Sequence, residues 1–209
     1  MRTALFTLVI LATLLAACKS NSKSAHLETV EETDEYGYLE VYQRRKSDFA
    51  REGWYQLINQ DGVVIEAAQY EHDTLQGQRI LFYDTGDTNI VETYHLGLFD
   101  GPYRVYREDG SLSVSGQFTN NVREGEWYGY YDNGAVKEIV MFQDNLENGA
   151  FTEYHPNGKL KAEGYYRDGD NEDGQLKIYN ENGELVKRMD CDMGRCNTVW
   201  SADETDSNH

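Results

Sequence analysis

The chain has 209 residues, of which 37 are acidic and 19 are lysine or arginine, and its formal net charge is −18. Charge of this sign repels nucleic acid and anionic lipid headgroups, so a role in binding nucleic acid is disfavoured. The binding of a basic protein, a cationic peptide or divalent cations remains open. The simpler interpretation is that the acidic residues keep a large exposed surface soluble.

The first 17 residues have the pattern of a secretion signal. Arg2 supplies a short basic start, and an apolar stretch interrupted only by threonines runs over residues 4–17, which is too short for a comfortable membrane span. The stretch ends in Leu15-Ala16-Ala17-Cys18, which resembles the bacterial lipobox. The resemblance implies cleavage before Cys18 and attachment of lipid to it. The alternative is an ordinary signal whose cysteine is incidental.

The lipobox resemblance also implies a location. Several acyl chains on Cys18 would anchor the protein stably, where one chain would be marginal. Lys19 follows where an aspartate would favour retention in the inner membrane. By resemblance to enterobacterial sorting, we expect an outer-membrane anchor that faces the periplasm of a Gram-negative cell envelope. Residues 18–35 are polar, and we expect a flexible tether there.

Glycine recurs every 24 residues through most of the remaining chain, in two series nine residues apart that both end with a step of 25. The first series is Gly53, Gly77, Gly101, Gly125, Gly149 and Gly174, and the second is Gly62, Gly86, Gly110, Gly134, Gly158 and Gly183. A fixed period of this length indicates a repeat array whose units bury their apolar faces against each other. It predicts six repeats over residues 53–190, preceded by a shortened capping unit at residues 36–52.

Each repeat has the pattern of a β-hairpin. Aromatic and β-branched residues lead into an Asn-Gly or Asp-Gly pair such as Asn133-Gly134, which is typical of a type I′ turn. The following segment alternates polar and apolar residues, as a half-buried strand does. Glu66, Glu92 and Glu138 interrupt its apolar side, and we expect them near the wet edge. The prediction is an all-β fold, an elongated and twisted array of antiparallel hairpins.

Two aromatic positions conflict with this simple pattern. Aromatic residues stand both two and five positions after the first glycine in three of the six repeats, for example at Trp127 and Tyr130 after Gly125. These positions have opposite parity, so both cannot face the core on an ideal strand. We therefore expect a bulge or bend at the glycine that starts the repeat.

The repeats resemble MORN repeats, in particular the divergent bacterial variant. The clearest copies are residues 125–134 (GEWYGYYDNG) and residues 149–158 (GAFTEYHPNG), and the resemblance extends over residues 53–190. It implies a binding or scaffolding role. Bacterial proteins of this type are often named as antitoxin-like, and eukaryotic MORN proteins are associated with membranes and scaffolding.

Two cysteines remain near the end of the chain. An exported protein meets an oxidising compartment, so the pair Cys191 and Cys196 predicts a disulfide. Cys191 takes the slot that holds tyrosine or phenylalanine in the preceding five repeats. We expect the bridge to pin the last hairpin in a cap at residues 191–200, before a disordered tail at residues 201–209. A metal site is the alternative, although no histidine is near.

One acidic loop is a candidate calcium site. It lies at the single 25-residue step of the glycine period. Asp168, Asp170 and Glu172 have the spacing of the first three ligands of an EF-hand loop. However, Asp173 stands where that loop needs glycine, and Tyr179 where it needs glutamate. The alternative is a solvated acidic turn, and the overall prediction is that the chain holds no metal.

Three tyrosines are candidate residues for binding a partner. Tyr128, Tyr131 and Tyr165 stand beside core aromatics at opposite parity, so they could form an exposed stripe that contacts a peptide or glycan. The alternative is packing between strands on a second face. No catalytic motif, P-loop or dinucleotide fingerprint occurs. We therefore predict a protein that is not an enzyme and has no cofactor.

The functional hypothesis combines these observations. We expect a lipid-anchored envelope protein whose MORN-like array binds or organises a partner protein. One alternative is an antitoxin or immunity protein that neutralises a toxin acting in the envelope, and another is a structural spacer.

Overall fold

The computed structural model describes residues 26–202, and their regular elements are antiparallel β-strands joined into one open sheet. The strands are β1 (Leu27–Thr33), β2 (Leu39–Arg45), β3 (Arg51–Ile58), β4 (Val64–Glu71), β5 (Thr74–Leu75), β6 (Gly77–Phe82), β7 (Thr88–His95), β8 (Leu98–Phe99), β9 (Gly101–Tyr106), β10 (Leu112–Thr119), β11 (Val122–Tyr130), β12 (Val136–Gln143), β13 (Leu146–Tyr154), β14 (Leu160–Arg167), β15 (Asn171–Glu172), β16 (Gly174–Tyr179), β17 (Leu185–Asp192) and β18 (Arg195–Ser201). The predicted all-β hairpin array is confirmed. Within residues 26–202, no helix has the length and apolar character needed to cross a membrane.

The strands follow one another across the sheet in chain order. Three short strands, β5, β8 and β15, run in line with β6, β9 and β16, which leaves fifteen positions across the sheet. At a spacing of about 4.8 Å per strand, the sheet is about 70 Å long. Among the described residues, β1 pairs with β2 alone and β18 with β17 alone, so these two strands are the edges.

One end of the sheet carries three-residue loops that finish in glycine, and we call it the glycine-loop end. In one such loop, the amide of Gly134 donates to the carbonyl of Tyr131 at 2.9 Å. Gly134 has a φ of 80°, whereas Asn133 is not among the residues with positive φ. This is a tight turn followed by a left-handed glycine bulge. The predicted type I′ turn, which needs positive φ at both central residues, is therefore wrong at these Asn-Gly and Asp-Gly pairs.

Two-residue turns with positive φ at both residues occur at the opposite end instead. They are His72-Asp73, Leu96-Gly97, Asn120-Asn121, Asp144-Asn145 and Met193-Gly194. The turn between β14 and β15 has one more residue, because Arg167 pairs with Asn171, and this accounts for the single 25-residue step. The described chain also enters the sheet here, since the amide of Lys46 donates to the carbonyl of His26 at 3.0 Å. We call this end the entry end.

The left-handed loop glycines lead to a stability prediction. Gly134→Ala should cost about 1–2 kcal/mol of unfolding free energy, because an alanine at φ 80° is strained even where its Cβ meets no atom within 4 Å. Gly134→Asn is the matched control and should cost less, since asparagine tolerates this conformation better. Urea unfolding of the three proteins measures the difference. An alanine variant as stable as the parent would contradict the left-handed assignment.

The boundaries at both ends of the array need correction. The predicted tether contains β1, which pairs with β2 from Leu27↔Arg45 to Thr33↔Leu39. Val30 packs against the core, and Glu28 pairs with Arg44 at 2.8 Å, so this acidic segment has partners that hold it as a strand. Residue 201, predicted to begin the tail, ends β18. The predicted signal, Cys18 and residues 203–209 lie outside the described residues.

The first glycine of each repeat bends its strand, as expected. All six have positive φ, from 73° at Gly125 to 132° at Gly149. Around Gly77, the register changes from Tyr70↔Leu75 to Glu66↔Leu81, so two additional residues are accommodated there. The bend does not bring the two aromatic positions to one face, because strand alternation continues beyond it.

The two faces of the sheet differ in chemistry. The aromatic face buries Tyr42, Tyr55, Tyr94, Trp127, Phe142 and Phe151. The outer face carries Tyr128 and Tyr130, whose rings stack at 6.4 Å. The hydroxyl of Tyr130 lies 3.1 Å from that of Ser115, also on the outer face. The aromatics five positions after the glycine were expected in the core, and this is wrong for Tyr130.

The second repeat replaces the buried aromatic residue with an ion cluster. Arg79 binds Glu66 at 2.7 Å and Glu92 at 3.2 Å, and the hydroxyl of Tyr94 donates to Glu92 at 3.1 Å. Glu92 is only 6 % exposed, so its expected place near the wet edge is wrong. Burial of this carboxylate is tolerated because Arg79 and Tyr94 supply the hydrogen bonds that water would otherwise provide.

The predicted disulfide is confirmed. Cys191 and Cys196 face each other across the β17–β18 hairpin and are bonded. Cys191 is 8 % exposed, in keeping with its place in a core slot of the repeat. The side chain of Arg188 lies over the ring of Trp200 at 5.5 Å and adds a second contact across this hairpin. The bridge therefore closes the last hairpin, which has no further repeat beside it among the described residues.

Candidate functional site

A cleft of about 190 Å³ opens on the aromatic face. Its lining includes Val114, Arg123, Trp127, Gly129, Glu138 and Glu147. These residues come from β10, β11, β12 and β13, so neighbouring repeats build the cleft together. We call it the Gly129 cleft.

Gly129 creates the space. The same slot, four positions after the first glycine, holds Leu57, Leu81, Val105, Glu153 and Ile178 in the other repeats. The carboxylate of Glu138 lies over Gly129, and a Cβ added there would be 2.6 Å from its Oε1 atom. A side chain at residue 129 would therefore displace Glu138. The absence of one side chain leaves the cleft open and places a carboxylate inside it.

Aromatic rings form the wall of the cleft. Trp127 is 6 % exposed and packs against Phe118 at 5.2 Å and Phe142 at 5.8 Å between ring centroids. The guanidinium of Arg123 lies over the Trp127 ring at 4.9 Å. Gly116 lets the ring lie directly on β10, because a Cβ there would be 2.3 Å from it. The indole Nε1 of Trp127 is buried without a hydrogen-bond partner.

Negative charge is concentrated beside this wall. Burial raises the pKa of Glu147, and the carboxylates of Asp170 and Glu138 raise it further, against the opposing effect of Arg123. Lys137 approaches Glu138 only at 3.6 Å. The cleft thus brings two carboxylates together with one internal guanidinium, and an additional cation would relieve the repulsion.

The partly buried Tyr166 of the aromatic face predicts sensitivity to alkaline pH. Burial raises the pKa of Tyr166 from 10.0 to about 12, with nearby glutamates adding to the rise. The unfolded chain then loses this proton first, so stability is full below about pH 10 and falls as the pH rises towards 12. Tyr166→Phe should reduce that loss by about 1–2 kcal/mol. Urea unfolding at several alkaline pH values measures it, with Tyr165→Phe as the exposed neighbouring control. Parallel pH profiles for the two variants would contradict the prediction.

The three tyrosines predicted to form a binding stripe are not equivalent. Tyr165 is 48 % exposed, whereas the hydroxyl of Tyr131 donates to the carbonyl of Tyr154 at 2.7 Å. The hydroxyl of Tyr128 donates to the carboxylate of Glu126. Tyr128 and Tyr165 share the outer face, but two strands separate them, a spacing of about 14 Å. Their role in partner binding stays a prediction.

Tyr131 belongs to a row of bonds between repeats that sequence reasoning missed. At the glycine-loop end, Tyr83 donates to the carbonyl of Tyr106 at 2.8 Å, and Arg107 to that of Tyr130 at 2.5 Å. Nε2 of His155 lies 3.0 Å from the carbonyl of Tyr179 and must carry the proton, because a carbonyl can only accept. The sequence does carry a signal for this row. In four successive repeats, a side chain that can form hydrogen bonds directly follows the aromatic residue five positions after the first glycine.

The calcium candidate is not assembled. Asp168 and Asp170 flank Gly169 in a turn, while Glu172 lies on β15 opposite Tyr166. Within residues 26–202, no three His, Cys, Asp or Glu side chains are grouped as metal ligands would be. The neighbouring Asp173 instead pairs with Arg167 at 2.5 Å.

Comparison with known families bears directly on the repeats that build the cleft. A family model described as "MORN repeat variant" matches residues 123–144 and 147–168. Two adjacent repeats of this chain therefore match MORN repeats of the variant type. They correspond to the hairpins β11–β12 and β13–β14, which contribute Trp127, Glu138 and Glu147 to the Gly129 cleft. A comparison with curated proteins found no match. MORN repeats suggest a role in binding or scaffolding.

Proposed function

We propose that this chain is a non-enzymatic, lipid-anchored envelope protein whose MORN-type sheet binds a basic segment of a partner protein. The observation that carries the proposal is the Gly129 cleft, which combines an aromatic wall with two carboxylates within the repeats that match the family. The net charge of −18 favours approach of a basic partner. The lipid anchor rests on the lipobox resemblance at Cys18.

The chemistry of the cleft suits a lysine or arginine side chain. Such a side chain has an apolar stem and a charged tip. Val114 and Val140 line the cleft and would contact the stem. The carboxylates of Glu138 and Glu147 would receive the charged tip through charge-assisted hydrogen bonds. Glu138 keeps 38 % of its side chain exposed, so it is accessible from solvent.

Site-specific photo-crosslinking in cells tests this proposal. A photoreactive amino acid replaces Lys137, whose exposed side chain lies 3.6 Å from Glu138, so that both cleft carboxylates remain; the matched control replaces Tyr128 on the outer face. We expect a defined crosslinked partner from position 137 and none from position 128. Crosslinks from position 128 alone would instead support the tyrosine stripe, and an absence of crosslinks from both positions would contradict partner binding.

The identity of the captured protein separates the remaining alternatives. A toxin that acts in the envelope would make this chain an antitoxin or immunity protein. Failure to capture any protein, together with an envelope defect on deletion of the gene, would favour the structural spacer. The mass of the purified protein tests the anchor, because lipid on Cys18 adds a defined increment and an unmodified Cys18 would contradict it.

A further inference from the structure

Exposed apolar side chains are concentrated at the entry end of the sheet. Nine large hydrophobic residues of the described chain are exposed, and five of them lie in or beside the entry-end loops. These five are Phe49, Leu96, Leu98, Leu146 and Met193, with exposures of 63, 70, 39, 50 and 43 %. The glycine-loop end has only Tyr36 from this set. Singly scattered exposed apolar residues are ordinary, but an excess of them at one end over the other requires a cause.

The predicted lipid attachment point is connected to the same end. The carbonyl of His26 is bonded to the amide of Lys46, which begins the loop that contains Phe49. Eight peptide steps separate Cys18 from His26, and they can span at most about 28 Å. An anchor on Cys18 would therefore keep the start of β1, at the entry end, within about 28 Å of the membrane.

Several backbone amides at this end donate hydrogen bonds to side chains of neighbouring loops. The amide of Leu96 donates to the side chain of Gln76 at 2.8 Å, and the amide of Phe99 to that of Asn121 at 2.7 Å. The amide of Arg51 donates to Asp73 at 2.6 Å. Amides bonded in this way lose little when water is withdrawn from the loops. The entry end can thus approach an apolar medium without exposing unpaired donors at these positions.

We propose that the entry end rests on a zwitterionic lipid surface, with Phe49, Leu96 and Leu98 inserted at the boundary between headgroups and acyl chains. The inference rests on the proposed lipid anchor, and it adds a defined orientation to that anchor. Burial of the apolar side chains attracts the loops to the lipid surface, and the tether keeps the loops close to that surface. The acidic chain disfavours an anionic surface. Because sheets twist, we restrict the contact to the loops nearest the anchor.

Fluorescent labelling of the lipidated full chain tests the orientation. Leu96→Cys and, as the matched control at the opposite end, Tyr36→Cys are each labelled with an environment-sensitive dye. The proteins are reconstituted in vesicles of phosphatidylcholine and phosphatidylethanolamine. We expect a blue shift at position 96, with quenching by a nitroxide placed at the headgroup boundary, and neither effect at position 36. A label at Phe49→Cys should lose its quenching when Leu96→Glu and Leu98→Glu are combined.

The outcomes separate this inference from the proposed anchor. Equal quenching at both ends, or none at position 96, would overturn the orientation. If the mass shows no lipid on Cys18, the anchor fails on its own. A Cys18→Ser form of the chain, labelled in the same way and held on nickel-chelating lipid by an N-terminal hexahistidine tag, then tests the entry end independently. If the blue shift at position 96 appears only when a partner protein is bound, and not on lipid alone, the apolar residues form a protein contact. That result would contradict the proposal.

Discussion

Replacing Arg79 by leucine should lower the free energy of unfolding by about 3–5 kcal/mol, because it leaves the buried carboxylate of Glu92 and the largely buried one of Glu66 without their cation. Glu92 has 8 % and Glu66 16 % of its side chain exposed, so water cannot replace the guanidinium effectively. Leucine itself fits the slot, since Leu176 occupies it in the sixth repeat. The loss of stability would therefore reflect the missing positive charge and not a change in side-chain volume. Urea unfolding monitored by circular dichroism measures it.

Two further variants make this test specific. Lys161→Ala breaks an exposed pair with Glu153 of similar length, 2.6 Å, and should cost less than about 1 kcal/mol. Combining Arg79→Leu with Glu66→Leu and Glu92→Leu should recover most of the lost stability, because a buried ion cluster can be replaced by apolar packing. If Arg79→Leu alone is as mild as Lys161→Ala, the cluster is not buried as described.

Phe151→Ala should cost about 3–5 kcal/mol, the usual range for a large buried aromatic residue. Phe151 is 4 % exposed, and its ring stacks on Tyr166 at 4.1 Å. The ring also covers Gly164, where an added Cβ would be 2.7 Å from it. Neighbouring strands cannot close the resulting cavity without breaking the backbone hydrogen bonds that pair them. Denaturant unfolding at neutral pH measures the loss.

The matched control for Phe151→Ala lies one strand away on the outer face. Tyr165→Ala removes a ring that is 48 % exposed and should cost less than about 1 kcal/mol. Similar losses for the two variants would mean that the aromatic face is not the core of the sheet. The pair therefore tests the assignment of faces as well as the packing of one residue.

The period of the glycines carried most of the information about the fold. It predicted the hairpins, the bend at each first glycine and the all-β class, because each follows from local sequence. The turn types did not follow, since Asn133-Gly134 suits a type I′ turn and also a turn with a glycine bulge. The choice depends on the cross-strand register, in which Tyr130 pairs with Val136 and Gly129 with Glu138.

The features that sequence reasoning missed depend on neighbouring strands. Glu92 looked like an exposed interruption because its partner, Arg79, stands 13 residues away in the chain and directly opposite on β6. The strand β1 was hidden by its acidic residues, one of which, Glu28, pairs with Arg44 on β2. Arg79 in an otherwise apolar slot was a usable signal for the ion cluster.

The candidate site was the least predictable part. Gly129 differs visibly from the residues in the same slot of other repeats, but a missing side chain becomes a cleft only if its neighbours leave the space open. Here Glu138 lies over the glycine, and the lack of a side chain at Gly116 lets the ring of Trp127 lie directly on β10. Sequence alone pointed to the outer-face tyrosines, whereas the cleft lies on the opposite face.

The most direct test of a basic partner in the Gly129 cleft is the crosslink yield from position 137 with and without Glu147→Gln. The substitution removes a cleft carboxylate while keeping the shape of the side chain. We predict a clear fall in yield in the Glu147→Gln background and a similar fall at high salt, because charge holds the partner there. An undiminished yield under both conditions would contradict the binding of a basic segment in this cleft.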